Sequence, residues 1–392
     1  MSPAPFVRSV DLKQLREEGY LVQIKGNLLV LHEAPYLNAK RELKRGMLVS
    51  TLNLAGDITQ PPETHVIHWI GEYPCNADGR PIEALRHQDQ PVELGHGIVA
   101  SHGFSNKPEG GYRDYHHKLT TYLAVIAGPA TTLFPGVSAR SNAVPEPEEN
   151  SVFNYVDTAT GRAGIGALAE KLAGERVAII GVGGTGGYVL DLVAKTPAQE
   201  IRLFDPDGLL SHNAFRGPGA PSLDELRELP LKVDHWTALY GRMRKGIVPH
   251  PVSIDAANAD LLDRVTFAFI CIDDGPSKKA VVAKLEAIGA SFIDVGMGLQ
   301  LDDGSLGGIL RVTTSTPDRR AHVHAGRIDF SDDRGQDLYA TNIQVADLNA
   351  LNAVMAVIKW KKLRGFYRDL EREHHSTYTT DGNLLLNGEL PC

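Results

Sequence analysis

The second half of the chain alternates short apolar runs with longer amphipathic segments. Four runs of mostly apolar residues are typical of buried strands: RVAIIG, EIRLFD, TFAFICID and ASFIDVG. Helix-like segments lie between or beyond them, including GGYVLDLVAKTP, SKKAVVAKLEAIG and, near the end, DLNALNAVMAVIKWKKL. This alternation predicts a parallel sheet with helices on its faces, which is a doubly wound, Rossmann-like α/β fold.

The first part of the chain has a different pattern. Apolar runs interrupted by glycine or polar turns, such as LVQIKGNLLVLHE and THVIHWI, predict strands. The apolar segment 118–130 is compatible with either a helix or a strand. Prolines, acidic residues and small polar residues over 138–150 indicate an interdomain linker. We therefore expect a smaller, β-rich α+β accessory domain over residues 1–145, followed by the doubly wound domain over residues 151–392.

Composition and charge narrow the classes of function. The chain has 392 residues, 42% of them hydrophobic and 22% charged, which suits a globular protein of two domains. The net charge is -8 and no basic block stands out, so nucleic acid is not an expected partner. The first twenty residues lack the apolar core of a signal peptide, and no stretch approaches the length of a membrane span. We expect a cytoplasmic protein without a membrane partner.

A glycine-rich turn, GVGGTGG, lies between the strand RVAII and a predicted helix. In this context glycines let backbone amides approach the phosphates of a nucleotide. Asp205 ends the following strand, where a carboxylate can accept hydrogen bonds from ribose hydroxyls. NAD and ATP both carry that sugar, so these features indicate a nucleotide without naming it. The glycines that carry the motif are Gly181, Gly183, Gly184 and Gly186.

The segment DPDGLLSHNAFRG helps to decide between NAD and ATP. It resembles the D-x-D-x-x-x-x-x-N-x-x-R motif of the ThiF, MoeB, HesA and ubiquitin-activating enzyme superfamily, with Asp205, Asp207, Asn213 and Arg216 at the motif positions. The resemblance implies that the first aspartate binds ribose and that the asparagine and arginine contact a triphosphate. An arginine suits a phosphoryl centre that gains charge, whereas hydride transfer has no such need.

Three further positions resemble the same family. Lys232, in PLKVDHWTALYGRM, resembles its phosphate-neutralising lysine at the start of a helix. Asp273, in FICIDDG, resembles an aspartate that helps hold Mg²⁺ against ATP, but Asp274 replaces the usual neighbouring asparagine, so either carboxylate could face the metal. Arg162 precedes the first strand, where related enzymes place an arginine that reaches a partner subunit's ATP. A surface or capping role suits Arg162 equally well. Family members dimerise, so a homodimer is expected.

The cysteines depart from the family pattern. No cysteine lies downstream of the nucleotide motifs in a position to form a thioester, except the final residue Cys392, which has no nearby base in sequence. Cys271 lies in an apolar run and is expected to pack, so Cys75, in the turn-like EYPCNADG, is the better thioester candidate. Direct transfer to a carrier protein and an oxyester to a hydroxyl remain open. The family's two CxxC pairs are absent, so no structural zinc is expected.

The N-terminal residues resemble an uncharacterised region fused ahead of ThiF-like domains in bacterial proteins encoded beside ubiquitin-like modifiers and carrier-enzyme-like proteins. The resemblance rests on HVIHWIGEYPC, GFSNKPEGGYRDYHHKLTTY and NAFRGPGAP. It implies a bacterial conjugation pathway whose partners are a ubiquitin-like modifier and a ubiquitin-carrier-like protein. The N-terminal domain would then dock one of these two partners.

Together these features predict an adenylyltransferase that uses ATP and Mg²⁺ to activate the C-terminal carboxylate of a ubiquitin-like protein. Two alternatives remain. An NAD-dependent oxidoreductase would use the same glycine turn but leaves Arg216, Lys232 and Asp273 without a role. An inactive scaffold subunit of an activating-enzyme dimer would have no reason to keep this charged set.

Overall fold

The structure is a computed structural model that describes residues 4–141, 151–163, 165–331 and 343–388. It divides into two compact units. The N-terminal unit comprises Met1–Ser151 and Tyr155–Gly166, and the C-terminal unit comprises Val152–Asn154 and Ala167–Cys392. Of the linker predicted from the sequence, only residues 138–141 lie within the described part of the chain.

The N-terminal unit is built around an antiparallel sheet of six strands in the order β1-β2-β3-β6-β10-β7. Two small ribbons, β4-β5 and β8-β9, accompany it. The strands are β1 (Val22–Lys25), β2 (Leu28–Leu37), β3 (Leu43–Thr51), β4 (Leu54–Ala55), β5 (Ile58–Thr59), β6 (Val66–Ile70), β7 (Arg86–Gln88), β8 (Val92–Gly95), β9 (Ile98–Ala100) and β10 (His102–Ser105). The helices are α1 (Ala4–Arg8), α2 (Val10–Glu17), α3 (Tyr115–Leu133) and α4 (Thr158–Ala163).

The segment that the sequence left open is the long helix α3. Asp114 caps its N-terminus by accepting a hydrogen bond from the His117 N–H at 2.7 Å. Leu119, Tyr122 and Ile126 repeat at helical spacing and pack in one core with the sheet. The cap and this apolar stripe explain why the segment forms a helix.

The C-terminal unit contains an eight-stranded sheet in the order β13-β12-β11-β14-β15-β16-β17-β18. Its strands are β11 (Arg176–Ile180), β12 (Glu200–Phe204), β13 (Ile247–His250), β14 (Phe267–Ile270), β15 (Ser291–Asp302), β16 (Ser305–Ser315), β17 (His375–Thr379) and β18 (Leu384–Asn387). Its helices are α5 (Gly166–Ala169), α6 (Gly184–Ala194), α7 (Ser211–Ala214), α8 (Leu223–Arg227), α9 (Lys232–Gly241), α10 (Gly275–Ala287) and α11 (Ala346–Leu363). Within the described segments, none of the helices combines the length and the apolarity needed to cross a bilayer.

The neighbouring strands β13, β12, β11, β14 and β15 run parallel to one another. From β15 through β16 and β17 to β18, each strand is antiparallel to the next. The predicted α/β class with a parallel sheet is therefore confirmed, while the antiparallel extension is a feature that the sequence pattern did not predict. Helices α6, α9 and α11 pack on one face through a core that includes Val189, Val233 and Trp360. Helix α10 covers the other face with Val281 and Leu285.

The strand order creates a crevice at one edge of the sheet. Strand β11 lies between β12 and β14, so the connections after β11 and β12 diverge from those after β14. In open parallel sheets, ligands bind outside the carboxyl ends of the strands at such a switch point. The turn after β11 and the ends of β12 and β14 all border this crevice.

Helix α3 also buries a cation in the N-terminal unit. Lys118 has no exposed surface, and its Nζ donates hydrogen bonds to Ser50 Oγ and to the Thr64 carbonyl oxygen, both at 2.9 Å. Among the described residues no carboxylate forms a salt bridge with it. Burial lowers the pKa of Lys118 from 10.5 to about 8.

We predict that this lysine makes the unfolding free energy rise between pH 8 and pH 10.5. In that window the unfolded chain holds a proton that the folded chain has released, so raising the pH favours the folded state. Below pH 8 both states are protonated and this contribution to the slope disappears. Urea unfolding of wild type and Lys118→Met between pH 8 and pH 10.5 measures this pH dependence of the unfolding free energy. The variant should lack this part of the pH slope, and equal slopes would show that Lys118 titrates normally.

Candidate nucleotide-binding site

The turn between β11 and α6 has room only for glycine at two positions. Gly181 has a φ of +84°, and a Cβ there would lie 2.6 Å from the Cys271 carbonyl oxygen. A Cβ on Gly186 would lie 1.8 Å from the Gly181 carbonyl oxygen. This compact turn brings the first residues of α6 to the crevice, where N–H groups that have no partner inside a helix suit a phosphate. Gly183 is the N-cap, and Gly184 is the first residue of the helix.

Asp205 links the end of β12 to the glycine turn. It is 6% exposed, and its Oδ2 accepts a hydrogen bond from the Val182 N–H at 3.0 Å. Its Oδ1 accepts the Asp207 N–H at 3.0 Å and lies 3.3 Å from Lys232 Nζ. The carboxylate therefore links the glycine turn to Asp207 and Lys232.

Lys232 is the first residue of α9 and is buried against two carboxylates. Its Nζ lies 2.7 Å from Asp207 Oδ2, in addition to the contact with Asp205. The Asp207 side chain is 66% exposed, so its attraction to Lys232 is weakened by solvent. Lys232 could exchange Asp207 for a phosphate oxygen at low cost while Asp205 keeps its ammonium in place.

Asn213 and Arg216 follow β12 on the short helix α7 and the turn after it. The Oδ1 of Asn213 accepts the Leu210 N–H at 2.9 Å. Within the described part of the chain, the Nδ2 of Asn213 and the Nε of Arg216 are buried without an acceptor. Buried donors without acceptors are costly, so these two groups indicate that an acceptor-rich ligand belongs here.

The electrostatic surroundings of Arg216 include carboxylates from two strand ends. Burial lowers the pKa of Arg216, and the negative charges of Asp273, Asp205 and Asp207 oppose that shift. Asp273 follows β14, whereas the other two aspartates follow β12. The structure thus brings the arginine and all three predicted carboxylates to the same edge of the sheet.

The two adjacent aspartates after β14 have different environments. Asp274 is the N-cap of α10 and accepts the Ser277 N–H at 3.0 Å, so its carboxylate is engaged by the helix. Asp273 is the carboxylate whose charge acts on Arg216. The described segments contain no group of three or more His, Cys, Asp or Glu side chains arranged to hold a metal. Mg²⁺ bound to nucleotide phosphates requires only one or two protein carboxylates, and Asp273 fits that role.

Several buried residues near the site were missed by the sequence analysis. Trp236 Nε1 donates to the Val182 carbonyl oxygen at 3.0 Å and fixes the glycine turn from α9. Asp294 is completely buried on β15 between Lys278 Nζ at 3.1 Å and Arg311 Nη2 at 2.7 Å. An aspartate inside the apolar run ASFIDVG was the available signal, since buried charges are paired. A further missed residue, Asn349, lies on α11.

The predicted cysteine nucleophile is in a poor environment for reaction. Cys75 is 1% exposed, its Sγ lies 3.4 Å from the Tyr73 carbonyl oxygen, and burial raises the pKa of its thiol. A reactive cysteine needs access and a lowered pKa. Cys271 follows β14 and packs against the core, and burial raises the pKa of this thiol too. Arg162 lies on α4, but its side chain, like Cys392, is outside the described residues.

Comparisons with known proteins found one family model and several solved structures that are similar to parts of this chain. The family model "Domain of unknown function (DUF6791)" matches residues 10–158. No curated protein matches the chain. Solved structures with similar folds include E. coli MccB with MccA-N7isoASN, at 16% identity and a TM-score of 0.48 over 59% of this chain and 72% of that one. E. coli MccB with ATP is 17% identical, with a TM-score of 0.45 over 59% of this chain and 68% of that one. PaaA is 16% identical, with a TM-score of 0.44 over 57% of this chain and 75% of that one. Values this low carry no conclusion about activity.

We predict that Gly186→Ala destabilises the C-terminal unit by about 1–3 kcal/mol or more, because its Cβ would overlap the Gly181 carbonyl oxygen. Gly241→Ala is the matched control, since a Cβ on this last residue of α9 meets nothing within 4 Å. The control should be neutral or slightly stabilising. Urea unfolding of both variants tests the turn, and equal stability of the two would contradict its geometry.

Proposed function

We propose that this protein is an adenylyltransferase that binds ATP and Mg²⁺ and activates the C-terminal carboxylate of a protein substrate. The observation that carries the proposal is the environment of Arg216. Arg216 is half-buried, three carboxylates act on its charge at the switch point of the sheet, and its Nε and the Nδ2 of Asn213 are buried with no acceptor among the described residues. A polyphosphate supplies acceptors of the required charge and number.

In this proposal each part of the nucleotide has its own set of residues. The first turn of α6 faces the phosphates, with Gly181, Gly183, Gly184 and Gly186 allowing a close approach. Asp205 receives the ribose hydroxyls, as carboxylates at this strand end do in related folds. Asn213 and Arg216 donate to the triphosphate. Asp207 holds Lys232 until the nucleotide binds.

The chemistry is a displacement at the α-phosphorus. An oxygen of the substrate carboxylate forms a bond to phosphorus, the bond to the bridging oxygen of pyrophosphate breaks, and an acyl-adenylate results. Negative charge grows on the leaving pyrophosphate, and Arg216 and Lys232 stabilise it. Asp273 would hold Mg²⁺, which when bound neutralises phosphate charge. No protein group needs to donate a proton, because both products leave as anions.

The proposed second step is transfer to another molecule. In the described part of the chain, Cys75 is buried and Cys271 packs against the core. These positions favour an acyl-adenylate that passes directly to a carrier protein or to a hydroxyl acceptor. The family resemblance of the sequence supports a ubiquitin-like modifier as the substrate and a ubiquitin-carrier-like protein as the acceptor, in a bacterial conjugation pathway.

Two aspects of the assembly belong to the same proposal. Residues 1–145 dock the modifier or the carrier, because none of the residues assigned to the nucleotide lies in this segment. The active form is a homodimer in which Arg162 of one protomer approaches the ATP of its partner. Both statements rest on the resemblance seen in the sequence.

We predict that Arg216→Ala lowers ATP-pyrophosphate exchange by roughly 100-fold or more, because a preorganised donor at the developing charge is lost. Asp273→Asn should cause a comparable loss. Arg216→Lys keeps the charge but not the planar fork, and an intermediate rate is expected. Exchange is measured with Mg-ATP, labelled pyrophosphate and a ubiquitin-like protein ending in a free carboxylate.

The matched control is Arg242→Ala, which removes an exposed arginine at the end of α9. This variant should exchange at the wild-type rate. Wild-type protein that binds no Mg-ATP in calorimetry would refute the proposal, and absorbance changes with a nicotinamide cofactor would favour an oxidoreductase instead.

We further predict that deleting residues 1–145 leaves Mg-ATP affinity close to that of the full chain and abolishes conjugate formation. Nucleotide binding also serves as the folding control, since it requires an intact C-terminal unit. Conjugation is monitored by gel shift with the modifier and the carrier present. Conjugation at the full-length rate would exclude a docking role for this segment.

A further inference from the structure

Asn349 lies in the first turn of α11 and is 1% exposed. Its Oδ1 accepts a hydrogen bond from Thr185 Oγ1 at 2.8 Å, and its Nδ2 donates to the Arg216 carbonyl oxygen at 3.2 Å. One amide therefore contacts both the first turn of α6 and the residue that carries the proposed function. Asn349 comes from a distant part of the chain, 164 residues after Thr185.

The contact with α6 is close as well as polar. A Cβ on Gly184 would lie 2.3 Å from Asn349 Nδ2, so the absence of a side chain at Gly184 admits the amide. Steric fit and two hydrogen bonds fix the amide in one orientation. Swapping its oxygen and nitrogen would oppose Nδ2 to the Thr185 hydroxyl and Oδ1 to a carbonyl oxygen, which is repulsive at the second contact.

The backbone of Arg216 depends on few contacts. Its N–H donates to the Asn213 carbonyl oxygen at 3.2 Å, and its carbonyl oxygen accepts the bond from Asn349. The Nε of its side chain is buried without a partner among the described residues. The position of the guanidinium is therefore set mainly through the backbone, and Asn349 provides the link that comes from outside the Arg216 loop.

We propose that Asn349 is a positioning residue that fixes the distance between the phosphate-facing turn of α6 and Arg216. This inference rests on the proposed function. A charge-stabilising donor acts only if it stands where charge develops, and displacement by about 1 Å can cost roughly 100-fold in rate. Asn349 is buried and bonds to Thr185 and Arg216, so it acts through these two residues.

The same helix supplies a matched control. Asn352 is also completely buried, but its Nδ2 donates to the Gly296 carbonyl oxygen at 3.0 Å, on β15. Its replacement removes a buried amide and one hydrogen bond from α11 without touching Thr185 or Arg216. Asn349→Ala and Asn352→Ala should therefore lower the unfolding midpoint by similar amounts, while only the first should alter catalysis.

The experiment measures kcat and KM for ATP in pyrophosphate exchange, together with Mg-ATP affinity by calorimetry, for the full-length chain. We expect Asn349→Ala to lower kcat by roughly 10-fold to 100-fold, with a smaller rise in KM. Thr185→Val, a milder variant that removes one of the two contacts, should change kcat in the same direction. Thr185→Ser keeps the hydroxyl and should restore kcat to near the wild-type value.

The outcomes separate this inference from the function on which it rests. Wild-type protein without Mg-ATP binding would overturn both. A wild type that binds and exchanges, combined with unchanged kcat in Asn349→Ala, would overturn the positioning role alone. Equal losses of kcat in the Asn349 and Asn352 variants would also overturn it, because they would show a general effect of weakening α11.

Discussion

The parallel register of three strands determines where the site forms. Ile180 of β11 pairs with Phe204 of β12 on one side and with Ile270 of β14 on the other. All three strands therefore end at the same level, and the residue after each strand emerges at one edge. Asp205 reaches the Val182 N–H because the two strands end side by side. A slip of one residue in the pairing of β11 with β12 would turn the Asp205 side chain away from the turn.

The charges at this edge are arranged in advance of any ligand. Lys232 is 6% exposed, and without its carboxylates it would be an unpaired buried cation, which costs several kcal/mol. Asp205 is the buried partner and Asp207 the exposed one, so the pair offers one contact that is fixed and one that a phosphate can replace. Arg216 differs from Lys232. Its carboxylates oppose the effect of burial on its pKa, but its Nε still lacks an acceptor among the described residues. Preorganised charge of this kind would require little rearrangement on binding the proposed polyphosphate.

The parts of the fold that the sequence predicted are those with local signals. Apolar runs marked β11, β12, β14 and the start of β15, and the glycine spacing marked the turn after β11, since each depends on neighbouring residues only. Helix α3 was ambiguous because its apolar segment fits either period, although Asp114 ahead of it was an available cap signal. The antiparallel extension from β15 to β18 consists of two hairpins, β15-β16 and β17-β18, and a pairing of β16 with β17. Strands β16 and β17 lie far apart in sequence, and no local pattern specifies that pairing.

The candidate site shows the same division. Asp205, Asp207, Asn213 and Arg216 lie within one short motif, whereas Asn349 meets Arg216 from 133 residues away. Its only trace in the sequence is a polar residue on the apolar face of α11, where Asn352 gives an identical trace but bonds to β15. Composition and spacing do not distinguish the two asparagines. Packing decides which of them borders the site.

The environment of the thiols bears on the step that would follow the proposed adenylation. An acyl-adenylate is a mixed anhydride that water hydrolyses, so an enzyme that makes one benefits from having the acceptor close by. Cys75 belongs to the core around β2 and not to an accessible loop, since its backbone bridges Leu37 and Pro81. If the acceptor is a separate protein, docking it on the chain that makes the acyl-adenylate raises the acceptor's effective concentration to roughly the millimolar range. An N-terminal unit with its own sheet and core suits that proposed task.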